Sequence, residues 1–422
     1  MRIGIGLAAA ALLLASCGAQ VSGPPASAAG DQLVLRTSAA LQVWDAKGNL
    51  VRSLGRAVSA PDGSVYYTLD GASPTTLRWV DAKTGRAITQ IGLPGSYSFA
   101  DERESGPTGL SPNGRWLVLP GESGASSSFA VIDTALLRPA AVAQVPGTFT
   151  YDAISDDGTS LYLIERITPE AARQLGGLNA AYSYRVRVYD VPSAKLSETL
   201  VVDVKLASQT VGDTNAETRV DGIMSGIYQS SVPSRDGLWN FSFYYNPNRG
   251  PFIHVLHLNS RSAFCILDLP IVSGGYEQRL GWSLALTPSG ETLYAVNGTL
   301  GLVSSIDAST LKVMHSAKVA GLPSATATAP TSSSSAGLSR DARKLWFTAA
   351  RGVALVDTSD FALRGLFLPD RVVRSISLSP DGRRLYALSG DGTVWMLDAT
   401  TGRELARIPT QGATALLRVA TP

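Results

Sequence analysis

The stretch LSPDGRRLYALSGDGTVWMLDATTGRELARI, Leu378 to Ile408, contains short apolar-rich runs separated by turn residues. With the residues just before it, it divides into SISLS, RLYALS, VWMLD and ELARI, which we name strands a to d. Each run has the length and β-branched or aromatic content of a half-buried strand. Pro380-Asp381-Gly382 makes a tight a–b turn, proline presetting φ and glycine accepting a positive φ. Asp398 to Gly402 makes the c–d turn, where a carboxylate can accept bonds from turn amides.

The pattern recurs. LTPSGETLYAVNGTLGLVSSIDASTLKV (Leu286 to Val313) repeats it closely, as does SAPDGSVYYTLDGASPTTLRWVDAKTGRAITQI from Ser59. LSPNGRWLVLPGESGASSSFAVIDTALL from Leu110 and ISDDGTSLYLIERI from Ile154 are further copies. VPSRDGLWNFSFYY from Val232 and LSRDARKLWFTAARGVALVDTS from Leu338 are more degraded. Repeats of about 40–50 residues, each a four-stranded unit with short hairpins, mark a β-propeller. The a–b corners fall on Asp62, Asn113, Asp157, Asp236, Ser289, Asp341 and Asp381, seven in all. The c–d corners fall on Asp45, Asp81, Asp133, Asp190, Asn259, Asp307, Asp357 and Asp398, eight in all.

The odd corner lies in LVLRTSAALQVWDAKGNLVRSL (Leu33 to Leu54), which offers strands b, c and d without an a. The chain ends in ALLRVATP, which aligns with strand a. The expectation is an all-β fold: one propeller over residues 31–422, eight-bladed, closed by a split blade. Such closure removes the open sheet edges. Seven blades is the fallback if a degraded copy, Val232 to Leu269 first, forms none.

Composition agrees with this class. The chain of 422 residues has a formal net charge of +2, 45% hydrophobic and 17% charged residues, 41 Gly and 23 Pro. A near-neutral balance leaves no basic footprint for nucleic acid. At the N-terminus, MRIGIGLAAAALLLASC places Arg2 before an apolar run shorter than the ~20 residues of a spanning helix, as in a secretory signal. Leu14-Ala15-Ser16-Cys17 resembles the lipobox of bacterial lipoproteins. That resemblance implies a signal peptide over residues 1–16, lipid on the Cys17 thiol and anchoring in the cell envelope. Residues 17–30 then form a flexible leash, since GAQVSGPPASAAG cannot bury a core. With Cys17 lipidated, Cys265 has no disulfide partner and reads as a small core residue.

LYAVNGTLGLVSSIDASTLKV is similar to the repeat of YVTN-type bacterial β-propellers, and the SPDG copies to that group and its WD-repeat-like and lactonase-type relatives. The resemblance covers nearly all of Asp31 to Pro422 and implies architecture, not activity.

In a propeller, b–c and d–a connections open on one face, and here these are the long ones. The d–a examples are Gly92 to Pro107, Ala207 to Tyr228, Pro270 to Gly281 and Gly321 to Ser335. The b–c examples are Pro120 to Ser128, Glu165 to Ser183 and Tyr244 to Pro251. Long loops on a rigid scaffold carry binding. Candidate binding residues there are Tyr97, Phe99, Glu102, Arg103, Glu104, Tyr244, Tyr245, Arg249, Tyr276, Glu277 and Arg279.

Catalytic constellations are absent from the sequence reading. His254 and His257, three apart on one strand, point to opposite faces and cannot share a metal. With His315 they are the only histidines, which disfavours a Ser-His-Asp hydrolase. GDGT at Gly390 to Thr393 sits in a b–c hairpin and lacks calcium-loop spacing. The sequence thus names no catalytic residue, cofactor or metal. The leading expectation is a monomeric, lipid-anchored extracytoplasmic module binding an envelope protein or a small ligand. The alternative implied by resemblance is a lactonase-like hydrolase with a divalent metal over the channel, though no ligand set matches residue by residue. A quinone-type propeller sensor ranks last, lacking the tryptophan-docking motif.

Overall fold

In a computed structural model the described residues are 30–100, 108–168, 170–171, 182–201, 223–271, 273–323 and 335–421. The first three strands are β1 (Gln32–Thr37), β2 (Leu41–Asp45) and β3 (Leu50–Ser53), and the last is β32 (Ala413–Ala420). They form one sheet in the order β3-β2-β1-β32, so the C-terminal strand supplies strand a to the N-terminal b, c and d. Val34 lies opposite Arg418 and Leu35 opposite Leu416, with Leu417 bulged between. The split blade inferred from the corner count is therefore present.

Blade 2 follows with β4 (Ala57–Ser59), β5 (Val65–Asp70), β6 (Thr75–Asp81) and β7 (Ala87–Leu93). Blade 3 holds β8 (Trp116–Ser123), β9 (Ser126–Asp133) and β10 (Arg138–Pro146). Its strand a shrinks to a single bridge between Leu110 and Leu117. Blade 4 comprises β11 (Phe149–Ile154), β12 (Ser160–Arg166), β13 (Ser183–Asp190) and the short β14 (Lys195–Leu196), while β15 (Met224–Ser225) pairs with the start of β13. Blade 5, drawn from the most degraded repeat, is complete: β16 (Ile227–Pro233), β17 (Trp239–Asn246), β18 (Gly250–His257) and β19 (Ser262–Asp268). A one-turn helix, α1 (Tyr276–Leu280), leads into blade 6, which is β20 (Trp282–Leu286), β21 (Thr292–Asn297), β22 (Leu302–Asp307) and β23 (Lys312–Lys318). Blade 7 is β24 (Ala336–Leu338), β25 (Lys344–Thr348), β26 (Val353–Asp357) and β27 (Leu363–Phe367). Blade 8 is β28 (Val373–Leu378), β29 (Arg384–Ser389), β30 (Thr393–Asp398) and β31 (Glu404–Pro409). The fold is an eight-bladed β-propeller.

Each blade must bury both faces, because successive side chains on a strand point to opposite sides. In blade 1, Leu33 and Leu35 pack against Tyr386 and Leu388 of blade 8, whereas Val34 and Val43 pack against Tyr66 and Val80 of blade 2. The other clusters fill the remaining gaps between neighbouring blades in turn. Every gap has its own core, so no blade is stable without its neighbours.

The a strands of adjacent blades also touch across the ring. Leu416 N donates to Ser375 Oγ at 2.7 Å and Val419 N to Ser377 Oγ at 3.1 Å. The join carries a buried ion pair besides. Arg384 Nε donates to Asp31 Oδ2 at 2.8 Å and Nη2 to Oδ1 at 3.2 Å. Tyr386 OH donates to the same carboxylate at 2.7 Å. Asp31 precedes β1 and the other two belong to β29, so first and last blades are linked by side chains as well as strands.

The corners behave as punctuation. At the last a–b corner, Ser379 Oγ donates to Asp381 Oδ1 at 2.5 Å, that oxygen accepts Arg383 N at 3.0 Å, and Ser379 Oγ accepts Arg384 N at 3.0 Å. The same three bonds recur at Ser155/Asp157, Ser234/Asp236 and Ser339/Asp341. At c–d corners the carboxylate caps turn amides: Asp307 Oδ1 accepts Ser309 N at 2.9 Å and Thr310 N at 2.8 Å. The Thr310 amide and the Ser309 hydroxyl pull this carboxyl down to about 2, so it stays charged and is a poor proton donor at neutral pH.

One corner differs from the sequence reading. In blade 5 the last residue of strand c, where seven blades have aspartate, is His257, and its Nδ1 accepts Ser260 N at 3.0 Å. The corner residue is His257, not Asn259. An unprotonated imidazole nitrogen offers the same lone pair in the same place, and the ring is held edge-on to Trp239 with centroids 4.4 Å apart.

Candidate functional site

The c–d corners share their face with the a–b turns, and the opposite face carries the b–c and d–a connections. On that second face a crevice of ≈ 200 Å³ opens between blades 5 and 6. Its walls come from the end of β17 (Tyr245), the following turn (Pro247, Asn248, Arg249), the chain after β19 (Pro270, Ile271), Arg279 of α1, Trp282 and Leu300.

Local chemistry builds each wall. Asn246 ends β17, and its Oδ1 accepts the amides of Asn248 (2.8 Å) and Arg249 (3.2 Å), folding the b–c turn back over the blade. Asn297 does the same for blade 6, accepting Leu300 N at 2.9 Å, while its Nδ2 donates to Gln278 O at 2.8 Å and so ties α1 to that turn. Arg249 is held flat by a bidentate pair with Asp268, at 2.9 and 3.0 Å. Arg279 donates from Nε to Gly274 O (2.9 Å) and from Nη1 to Tyr245 OH (3.4 Å). It has no carboxylate partner among the described residues. Tyr276 stands edge-on to Tyr245, centroids 5.8 Å apart. Trp282 is 4% exposed, and its buried Nε1 has no acceptor among the described residues. Ile271 sits at the rim, 71% exposed, the most exposed of the large hydrophobic residues described.

The structure thus gathers Tyr245, Arg249, Arg279 and Tyr276 from the sequence candidates into one place, with exposed Glu277 alongside. Others go elsewhere. Tyr97 and Phe99 are buried in the core between blades 2 and 3, where Tyr97 bridges Gly121 and its amide donates to Thr75 Oγ1 at 3.0 Å. Tyr244 and Tyr245 are strand residues, not loop residues, and face opposite sides of blade 5. Pro120 to Ser128 is likewise mostly strand: β8 and β9 run to a two-residue turn at Gly124-Ala125. Cys17, Glu102, Arg103 and Glu104 lie outside the described residues. Ile271, Trp282 and Leu300 carried no sequence signal, because single apolar residues near a strand end look like core.

A second cluster was not anticipated at all. The gap between blades 4 and 5 contains Asp152, Tyr184, Tyr244 and His254, each at most 5% exposed. Tyr184 and Tyr244 stack with centroids 5.1 Å apart, and His254 lies 6.0 Å from Tyr244. His254 Nε2 is buried with no hydrogen-bond partner among the described residues. Burial alone raises the Asp152 carboxyl to about 7 and lowers the His254 imidazole to about 4. Asp152 is the extra residue of a bulge in β11, between Tyr151 and Ala153. His315, the remaining histidine, stacks on Phe361 with centroids 5.2 Å apart. Among the described residues no group of three or more His, Cys, Asp or Glu is placed to hold a metal ion. No described helix is long and apolar enough to cross a membrane.

No protein-family model matches this chain, and no curated protein matches it either. Solved structures do. The chain is similar to the dihydro-heme d1 dehydrogenase NirN in complex with DHE, at 12% identity and a TM-score of 0.54, covering 93% of this chain and 75% of that one. It is similar to AztD from Citrobacter koseri, at 12% identity and a TM-score of 0.52, covering 93% and 97%. It is also similar to BamB from Moraxella catarrhalis, at 14% identity and a TM-score of 0.50, covering 85% and 89%. At such identities the likeness is one of fold, and it places the chain among β-propellers.

Proposed function

We propose that this chain is an extracytoplasmic, lipid-anchored binding module that engages its partner through the long-loop face. The observation that carries this reading is the crevice between blades 5 and 6. Exposed Ile271 stands beside Arg279, a cation with no carboxylate partner among the described residues, on an otherwise rigid ring. An exposed apolar residue beside a charge that its own fold leaves unneutralised is a feature of interfaces. The corner face has the opposite character, since its aspartates are consumed by turn amides. Supporting the anchor are the Leu14-Ala15-Ser16-Cys17 box and the leash that follows. A tether confines encounters to two dimensions and raises effective concentration.

The test pairs two measurements. Radiolabelled palmitate should enter the wild type and not a Cys17→Ala variant; label in both would remove the anchor. Partner capture from the envelope fraction should fall about tenfold or more for Ile271→Asp with Arg279→Glu, the loss expected for one rim hot spot. Equal capture by wild type and double variant would remove the crevice from the binding surface.

A further inference from the structure

The crevice walls restrict what can enter. The polar side chains on them are those of Tyr245, Asn248, Arg249 and Arg279. Trp282 lines the crevice, but its Nε1 is itself buried and out of a ligand's reach. Arg279 spends two of its donors on neutral oxygens, Gly274 O and Tyr245 OH, and has no carboxylate partner among the described residues. Arg249 lies in the same wall, but Asp268 neutralises it through both oxygens. The remaining walls are apolar: Pro247, Pro251, Pro270, Ile271 and Leu300. A site with one cation that no described carboxylate matches, and with prolyl and aliphatic walls, selects an anion joined to an apolar group.

Size narrows the choice. The crevice holds ≈ 200 Å³, and a cavity of about 150 Å³ already admits a benzene ring. There is room for one ring or branched aliphatic group with a carboxylate beside it, and for little more. The crevice is open on the long-loop face, so a chain leading to that group can run out across the rim at Ile271.

We infer that the crevice between blades 5 and 6 takes the C-terminal residue of a partner polypeptide, its carboxylate on Arg279 and its apolar side chain against the prolines and Leu300. This rests on the binding reading above and names the chemistry of the partner.

Calorimetric titration of the full chain tests it with N-acetyl-phenylalanine, its amide, and the peptide Gly-Ser-Gly-Phe with a free or amidated C-terminus. The acid should bind at least about tenfold more tightly than the amide, one charge-assisted hydrogen bond's worth. Arg279→Gln should remove that difference. The free-acid peptide should bind more tightly than N-acetyl-phenylalanine, because its chain adds contacts along the rim. Equal binding of acid and amide, or of wild type and Arg279→Gln, would overturn the assignment. So would competition by inorganic phosphate as strong as that of the acid. A peptide no tighter than N-acetyl-phenylalanine would overturn the polypeptide terminus in favour of a free small acid. Absence of all binding would remove the carboxylate site, whereas the face as a whole stands or falls on partner capture by the double variant.

Discussion

Ending the chain after Thr410 is expected to abolish folding, although it removes only the last turn and β32. That strand buries Ala413, Ala415, Leu416 and Val419 in the core between blades 8 and 1, and each larger apolar side chain contributes about 1.5–3 kcal/mol. Its loss also leaves β1 as a bare edge. The total is comparable with the whole ~5–15 kcal/mol stability of a typical native protein. A graded version leaves the strands intact. Asp31→Ala takes from the Arg384 guanidinium, 8% exposed, its buried carboxylate, leaving the pair with the half-exposed Asp381 at 3.2 Å, and takes from the Tyr386 hydroxyl the same acceptor. Removing one partner of a buried pair costs about 3–5 kcal/mol, so the urea midpoint should fall steeply. Replacing Asp31 and Arg384 together by leucine and methionine should restore much of it, because no buried charge then remains and Asp381, 38% exposed, is left to solvent. An Asp31→Ala variant as stable as wild type would show that the first and last blades are not joined through this pair.

The second large effect is expected at the buried polar cluster. Asp152 carries a carboxyl raised to about 7 by burial. The folded state therefore holds a proton that the unfolded state has released above about 4. Stability falls as pH rises through that window and the penalty is complete above 7. His254, lowered to about 4, acts in the opposite sense. Its unfolded form binds a proton below about 6.5, so stability falls as pH drops from there towards 4. In the wild type the two slopes offset each other between about pH 4 and 6.5. Single variants should unmask them. Asp152→Asn should gain on the order of 2 kcal/mol at pH 7.5, after allowing for the amide's own burial. It should then lose stability on acidification from 6.5 to 4. His254→Leu should show the mirror image, with its gain near pH 4 and a fall towards 7. Chemical denaturation at pH 4.5 and 7.5 measures both. An Asp152→Asn protein no more stable at pH 7.5 would mean that the carboxylate has a charged partner in the fold.

The fold was legible because its corners repeat a chemistry. Ser-x-Asp-Gly, Asp-x-x-Thr-Gly and their variants solve the same turn problem in successive blades, so counting the corners exposed both the repeat and the missing strand. Reading failed where a different group did the same job. His257 caps its corner with an imidazole, and Asn259 two residues on resembled the expected residue more closely. Strand ends were also misjudged, because Gly121 to Ser128 looks like loop yet pairs across β8 and β9 without interruption.

The candidate site was legible only in its charged and tyrosyl half. Arg249, Arg279 and Tyr245 stood out as polar groups on long connections, and the fold brings them to one crevice. Ile271, Trp282 and Leu300 did not, since what makes them wall residues is the meeting of blades 5 and 6. Tyr97 and Phe99 show the converse: an aromatic residue on a long loop is as easily the loop's own core as a contact for a partner. Asp152 and His254 lie about a hundred positions apart in sequence, and only the packing of neighbouring blades puts them in one gap.

The central claim is that the two faces of the ring divide their work, turns closing one and binding occurring on the other. A photo-activated cross-linking residue placed at Ile271, on the long-loop face, compared with one at Leu136, in a c–d turn and 55% exposed, tests this directly in intact cells. The account predicts a discrete adduct from position 271 that disappears with Arg279→Glu, and none from position 136. Adducts from position 136 alone, or equally from both, would contradict it.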